Sequence, residues 1–363
     1  MERVLRAFAA AGPAWFTSVM GTGILGIGIV ASPVSFPGQA TLGTLVWGAA
    51  AVVFAVIVPL LVLRAILKPA ALLATFRDPA TAQVWGAPPM AAFTLAVGLM
   101  RIVAPHADAA VRPAQALWVL GVVGSLIVVS VVPYLMVTRY ELVLERALGT
   151  WLLPVVPPIV ASVPAALLLP TFPASMRSSI LAIAFALLGI GLVLAAAFIV
   201  VFFSRLLFHK TPRGALAPSM WLVVGPLGQS IAGFSALGGA AVGVWPAVGH
   251  MLSAAALAYG VLVWGFAVYW LGLAVVTTLA AARAGMPFTL GWWSFTFPVG
   301  VLLAGTDALW AATGAPLFAV AALVLLGLLV TTWTLVAART AHAILRTLRA
   351  ETRPSAPELP HAA

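Results

Sequence analysis

Long stretches without a charged residue constrain this chain more than any other feature. No Asp, Glu, Lys or Arg occurs between Arg6 and Arg64, a run of 57 residues, and a second run of 69 residues covers 214–282. A helix that crosses a bilayer needs about 20 apolar residues. The two longest runs therefore have room for two crossings each. Six shorter runs of 22 to 31 residues have room for one each, at 79–100, 113–138, 147–176, 178–204, 284–306 and 308–338.

Each of the two longest runs is interrupted where two crossings require a connection. Proline and glycine cluster at 32–38 in the first run and at 238–246 in the second, and such clusters interrupt helices. The chain is therefore predicted to be an all-α integral membrane protein with ten transmembrane helices. The predicted spans are 12–31, 41–63, 86–103, 114–137, 151–169, 178–204, 217–238, 251–278, 291–308 and 315–338.

Composition excludes most other classes of protein. Hydrophobic residues make up 63% of the chain, charged residues 7%, and the mean hydropathy is +1.16. A soluble enzyme, a secreted module or a disordered chain needs far more polar surface than this. So little charge also excludes nucleic acid as a partner, although the net charge is +10. The apolar runs lack the polar–apolar alternation of a membrane β-barrel.

The basic residues are distributed unevenly between the two ends of the predicted spans. Segments on the side of the N-terminus carry 15 Lys and Arg, whereas the opposite side carries only Arg101, Arg112 and Arg177. Because basic residues favour the cytoplasmic side, both termini are predicted to be cytoplasmic in the inner (cell) membrane. Residues 1–340 are predicted to form one transmembrane domain, with an uncleaved first span, and 341–363 a basic, proline-containing cytoplasmic tail.

Proline recurs in phase along the odd-numbered spans. Pro13, Pro88, Pro158, Pro226 and Pro298 are separated by 75, 70, 68 and 72 residues, which gives five helical hairpins of about 70 residues. Inside a helix, proline removes a hydrogen bond and bends the axis. Within a bilayer such a bend is tolerated against protein or around a cavity. The pattern therefore predicts an inner ring of odd helices around a central pore and an outer ring of even helices.

The predicted pore has an uncharged lining. No charged residue lies in the middle of a predicted span, and Asp307 falls near the outer end of the ninth. Without cysteine, and with five scattered histidines, the chain is expected to hold no metal and no other cofactor. Carboxylates that could replace the water of a cation are lacking, so small anions are the favoured permeants.

Hydroxyl and aromatic side chains remain as candidates for lining or closing such a pore. The hydroxyl candidates are Thr17, Ser18, Thr22, Ser162, Ser230, Ser235, Ser294 and Thr296. A phenylalanine could close the pore by excluding water. The aromatic candidates are Phe16, Phe93, Phe234, Phe295 and Phe297. Together with the phased prolines, the residues selected as lining or bending the pore are Pro13, Phe16, Thr22, Pro88, Pro158, Pro226, Thr296 and Pro298.

Three segments of the chain resemble a known family. Residues 12–25 read GPAWFTSVMGTGIL, 151–159 read WLLPVVPPI and 292–298 read WWSFTFP. Together they resemble the tellurite-resistance/dicarboxylate transporter family over roughly residues 8–340. That family includes the slow-type anion channels of plant guard cells, fungal malate permeases and sulfite efflux pumps.

The resemblance implies ten helices in five hairpins, with a phenylalanine of the ninth helix plugging the pore. Its Trp-Trp-x-x-Thr-Phe-Pro pattern assigns this gate to Phe297. Phe295 lies about 200° away on an ideal helix, so both rings cannot face the pore. The resemblance also implies a homotrimer with one pore in each subunit.

Three functions remain open on the sequence alone. The first is an anion channel or permease for inorganic anions or C4-dicarboxylates such as malate, gated by Phe297. The second is a proton-coupled carrier or efflux permease for dicarboxylate, sulfite or tellurite. The third is a membrane enzyme or assembly factor, for which the sequence shows no catalytic cluster.

Overall fold

Most of the residues that the structure describes are helical. The structure is a computed structural model that describes residues 12–351, and no strand occurs within them. The protein is therefore an all-α membrane protein. Its ten principal helices are α1 Phe16–Ala31, α2 Gln39–Leu67, α3 Ala87–Gly98, α4 Val111–Thr138, α5 Ser162–Leu168, α6 Ala174–His209, α7 Val224–Val244, α8 Pro246–Arg283, α9 Phe297–Thr313 and α10 Pro316–Glu351.

Nine helical segments of the described residues are long and apolar enough to cross a membrane. They are Gly12–Ala31, Gln39–Leu67, Pro79–Val103, Asp108–Thr138, Ala174–His209, Gly214–Val244, Pro246–Arg283, Leu290–Thr313 and Pro316–Thr347. The predicted span at 151–169 corresponds to a shorter apolar segment, Pro157–Thr171. Prolines break this segment into short helices because they supply no backbone N–H. A tenth crossing at this place stays a prediction.

Burial separates the odd segments from the even ones. In the most apolar stretch of the four long odd segments, 67% to 78% of the residues are buried, against 11% to 33% in the five even segments. The even helices expose large apolar side chains, among them Val137 at 86% and Leu262 at 77%. A surface this apolar is stable only against lipid or another protein.

Contacts between the helices repeat from hairpin to hairpin. Each odd helix packs against the even helix that follows it, from α1 with α2 to α9 with α10. Each odd helix also contacts the next odd helix, and α9 contacts α1. The five odd helices are thus linked in a closed cycle of contacts.

Glycine allows a close backbone approach between α7 and α9. A Cβ atom on Gly228 would lie 2.5 Å from both Cα and N of Leu302. Because these are backbone atoms, no side-chain rotation could relieve the clash. Small residues allow the same close approach in other pairs of membrane helices.

The phased prolines lie at helix starts, which corrects the expectation that they bend helix interiors. A 3-10 stretch precedes the α-helix in four of the odd segments, for example Gly214–Val223 before α7 and Leu290–Phe295 before α9. Pro226 and Pro298 then fall in the first turn of the α-helix. A first-turn proline costs little because its missing N–H would have no partner in the helix.

The last helix runs further than the predicted domain boundary, since α10 continues to Glu351. The rest of the predicted tail and the first eleven residues, with Arg3 and Arg6, lie outside the described residues.

Candidate functional site

Two cavities lie among the buried helices. We call upper the side on which the odd helices end and lower the side on which they begin. The upper cavity has a volume of about 410 Å³ and the lower about 140 Å³. The upper one is lined by Ile24, Ile27, Phe93, Thr94, Val97, Arg101, Val160, Val163, Gln229, Ala232, Ser235, Ala236, Ser253, Leu257, Phe297, Ala304, Ala308, Ala311 and Ala312.

The lower cavity lies between the 3-10 stretches and the first turns of the odd helices. Eighteen of the described residues line it, and all of them are uncharged. They are Ala14, Thr17, Met20, Val84, Met90, Thr150, Leu152, Leu153, Val156, Leu222, Gly225, Pro226, Leu290, Gly291, Trp293, Ser294, Phe297 and Pro298.

Phe297 is the one described residue that lines both cavities. Its side chain is only 6% exposed, so the ring is packed between the two spaces. The ring therefore forms part of the partition that separates them.

The backbone around Phe297 is held by a network of short contacts. Thr296 Oγ1 donates to the carbonyl of Trp293 at 2.8 Å, and the N–H of Gly300 donates to the carbonyl of Thr296 at 3.0 Å. Gly21 of α1 backs this turn so closely that a Cβ there would clash with Thr296. These contacts hold the junction of the 3-10 stretch and α9 in place.

Phe295 has a different environment although it is only two residues away. Its ring centroid lies 5.1 Å from that of Trp221 and 5.8 Å from that of Trp292. It lines neither cavity and is 3% exposed. Phe295 ends the 3-10 stretch whereas Phe297 begins the α-helix, and the two rings belong to different surroundings.

The other candidate phenylalanines divide between the wall and the core. Phe93 lines the upper cavity. Phe16 lines neither cavity, because its ring packs edge-on against Phe54 at 5.8 Å. Phe234 also lies outside both, packed against Phe185 and Tyr259.

Only three of the candidate hydroxyls line a cavity: Thr17 and Ser294 the lower one, and Ser235 the upper one. The structure places Thr22 and Thr296 outside both. Thr22 Oγ1 accepts a hydrogen bond of 3.0 Å from Trp333 Nε1 on helix α10. Ser18, Ser162 and Ser230 line neither cavity, and the hydroxyl of each donates to a backbone carbonyl three residues earlier.

The phased prolines likewise divide into two groups. Pro226 and Pro298 line the lower cavity. Pro13, Pro88 and Pro158 line neither cavity. Their common feature is the start of a helix rather than a position on the cavity wall.

The lining of the upper cavity includes a charged side chain. The prediction of a wholly uncharged lining is therefore wrong for this cavity. Arg101 lines this cavity and is exposed within it. It lies in Leu99–Val103, a π-helical continuation of α3. Arg101 was counted with the connections of the outer side, although it falls inside the predicted span 86–103. Its spacing from Thr94 and Val97, seven and four residues, is the signal that places it on the same helix face.

Asp307 is the second charged group in this region. It lies in α9 between the lining residues Ala304 and Ala308. Among the residues that the structure describes, its Oδ1 atom is buried without a hydrogen-bond partner. Its charge attracts that of Arg101, so the two groups belong to one electrostatic unit.

Comparison with known proteins relates this architecture to a family of membrane transporters. The family model described as voltage-dependent anion channel matches residues 10–341. A sulfite efflux pump (SSU1) of Trichophyton rubrum is 29% identical over 316 residues, which cover 84% of this chain and 83% of that protein. The sulfite efflux pump of Arthroderma otae is 30% identical over 304 residues, covering 81% of this chain and 80% of that protein.

A malic acid transport protein of Schizosaccharomyces pombe is similar as well. It is 24% identical over 298 residues, which cover 78% of this chain and 67% of that protein. The family and the names of these relatives indicate a transporter or channel rather than an enzyme. The chain belongs to the voltage-dependent anion channel family and is a multi-pass membrane protein of anion transport.

Proposed function

We propose that small anions cross the membrane along a path from one cavity to the other, past Phe297. The five odd helices would surround this path as an inner ring, and the even helices would face lipid as an outer ring. The closed cycle of odd-helix contacts and the contrast in burial support this arrangement.

The position of Phe297 carries the proposal. A path through the protein has to pass the partition between the cavities, and Phe297 is the one described residue shared by both. An apolar ring at a constriction excludes water, and an ion cannot cross without water or a substitute for it. We therefore propose Phe297 as the gate.

Three features favour anions over cations. Arg101 supplies a positive charge to the upper cavity, and the lower cavity contains no carboxylate among its lining residues. The first turns of α7 and α9 line the lower cavity, and the N-terminal end of a helix carries a partial positive charge. Because the prolines lie at helix starts, they free no carbonyl inside a helix to attract a cation.

The relatives indicate the size of the permeant. One is named for sulfite and another for malic acid. We propose inorganic anions or C4-dicarboxylates as the permeant class. The lower side of the molecule would face the cytoplasm, together with both termini, because the basic connections lie on that side. Assembly as a homotrimer in the inner (cell) membrane is part of the same proposal.

A coupled carrier is the second candidate, and Asp307 is the observation that favours it. A carboxylate inside a membrane span is the usual element of a proton relay, and Asp307 lies in α9 with a buried Oδ1. Uptake that saturates and accelerates with an imposed pH gradient would identify a carrier. Uptake that follows the electrochemical gradient of the anion alone would identify a channel.

Anion flux from liposomes tests the proposed function directly. The full chain would be reconstituted and its permeability compared for chloride, nitrate, sulfite, malate and tellurite, with potassium as the cation control. We expect protein-dependent flux for one or more of the anions and none for potassium. Flux of potassium at the rate of the anions, or no flux of any anion, would contradict the proposal.

Thr22 provides a test of which hydroxyls lie on the path. Thr22→Val removes the acceptor of the Trp333 hydrogen bond and should lower the free energy of unfolding by about 1 kcal/mol. Since Thr22 lines neither cavity, flux for each folded molecule should stay unchanged. Thermal unfolding in detergent and flux normalised to folded protein measure the two effects. Altered anion selectivity with normal stability would place Thr22 on the path instead.

A further inference from the structure

Arg101 and Asp307 bring charge to the region of the upper cavity. The proposed gate does not account for this charge. Arg101 is the one charged residue among the described residues that line this cavity. Four uncharged polar side chains line the same space: Thr94, Gln229, Ser235 and Ser253. Gln229 is 5% exposed, so its amide is held within the protein wall.

The geometry points to a binding site for a singly charged anion in the upper cavity, with Arg101 as the positive group and Gln229 and Ser235 as uncharged donors. Asp307 acts as the counter-charge that limits how tightly the anion is held. This inference rests on the proposed function and specifies where the permeant pauses and which charge it carries.

The placement of Asp307 explains why such a site would release its ligand. Asp307 attracts Arg101, but its Oδ1 is buried without a partner among the described residues, so the carboxylate does not bind Arg101 through both oxygens. An arginine closed off by a bidentate carboxylate could not receive an anion. An arginine without a counter-charge would hold an anion too firmly, and conduction requires binding weak enough for the ion to leave.

The charge count selects the class of ligand. Arg101 is the one cationic group among the described residues that line the cavity. It already interacts with one carboxylate, that of Asp307. A dicarboxylate would leave its second charge in a wall made mainly of alanine, valine, isoleucine and phenylalanine, where an unpaired charge is costly. Nitrate and hydrogensulfite carry a single charge and oxygen acceptors for the amide and hydroxyl donors.

The test measures the concentration dependence of nitrate flux from liposomes that contain the full chain. Arg101→Gln should raise the half-saturating nitrate concentration about tenfold, whereas Arg101→Lys keeps the charge and should change it less. Asp307→Asn should lower the half-saturating concentration. Arg112→Gln is the matched control, because Arg112 is an exposed arginine at the same end of the molecule that lines neither cavity.

Competition establishes the preferred charge of the ligand. Hydrogensulfite should inhibit nitrate flux at lower concentrations than the succinate dianion does. Stronger inhibition by succinate would overturn the assignment to single charges.

The outcomes separate this inference from the proposed function. If the wild-type protein passes no anion, the proposed function itself is wrong. If the wild type passes nitrate and Arg101→Gln has the wild-type half-saturating concentration, only the binding site is wrong. Removal of Arg101 alone leaves Asp307 uncompensated, so the double variant Arg101→Gln/Asp307→Asn decides the result if the single variant does not fold. The double variant should fold and bind nitrate as weakly as a cavity without charge.

Discussion

Replacement of Phe297 by alanine should raise anion flux through the reconstituted protein by about tenfold or more, which corresponds to a barrier lower by at least about 1.4 kcal/mol. Phe297 is the described residue that the two cavities share. Alanine leaves the adjoining turn in place, because Thr296 and Gly300 hold that turn through backbone groups and the threonine hydroxyl. Removal of the ring would join the two spaces and let water enter the constriction. Stopped-flow flux or single-channel recording measures the change.

Phe295→Ala is the matched control for this experiment. It removes the same ring two residues earlier, from a cluster with Trp221 and Trp292 that lines neither cavity. We expect a lower free energy of unfolding, by about 3 kcal/mol, and no rise in flux for each folded molecule. Equal flux increases in the two variants would show that loosened packing, rather than the gate, causes the effect.

Gly228→Ala should lower the free energy of unfolding by forcing two helices apart. The added Cβ would meet backbone atoms of Leu302 at 2.5 Å, so α7 and α9 would have to move apart. Overpacking of this kind typically costs about 1–3 kcal/mol. Since both helices line both cavities, the displacement should also disturb the path. Thermal unfolding and the yield of folded protein after detergent extraction measure the loss.

Gly272→Ala supplies the comparison for that substitution. Gly272 lies inside α8, and a Cβ there would meet no atom within 4 Å. Alanine is the better helix former by about 1 kcal/mol, so this variant should be as stable as the wild type or more stable. Equal destabilisation of both variants would mean that α7 and α9 are not packed as closely as the structure has them.

The helical, membrane-spanning character of the fold follows from local sequence alone. A run of apolar residues without charge has few stable conformations in a bilayer, and the nine long segments coincide with predicted spans. The segment at 151–169 shows the limit of this reasoning. Its hydropathy suits a span, yet prolines divide it into the short helices Pro157–Val160 and Ser162–Leu168. Local backbone chemistry decides helix length there.

The recurrence of proline predicted which segments are the odd ones. It did not predict the structural role of each proline, which is to start a helix rather than to bend it. Their 70-residue recurrence marks the odd segments, and in the four long ones 67% to 78% of the most apolar stretch is buried. A single sequence cannot distinguish a proline that bends a helix from one that starts it. The distinction depends on the residues before it, and in this protein 3-10 stretches such as Leu290–Phe295 precede the α-helices.

Individual side-chain directions were the least predictable part of the candidate site. Thr22 was expected to line the pore because it is polar in a buried span, but a tryptophan 311 positions away provides its partner. Arg101 was not predicted to line the cavity. The spans were found as runs without charge, so every arginine was treated as the end of a run. The structure shows that the upper end of a span can carry an arginine when a cavity keeps it accessible.

We propose that the ring of Phe297 separates two water-accessible spaces. The chain contains no cysteine, so single cysteines can be introduced at Ser235 in the upper cavity and at Ser294 in the lower cavity without background labelling. A membrane-impermeant thiol reagent, applied to one side of the bilayer at a time, then reports access. We expect each cysteine to react from its own side only. With Phe297→Ala, both cysteines should react from both sides. Labelling of either cysteine from both sides with Phe297 intact, or labelling that Phe297→Ala leaves unchanged, would contradict it.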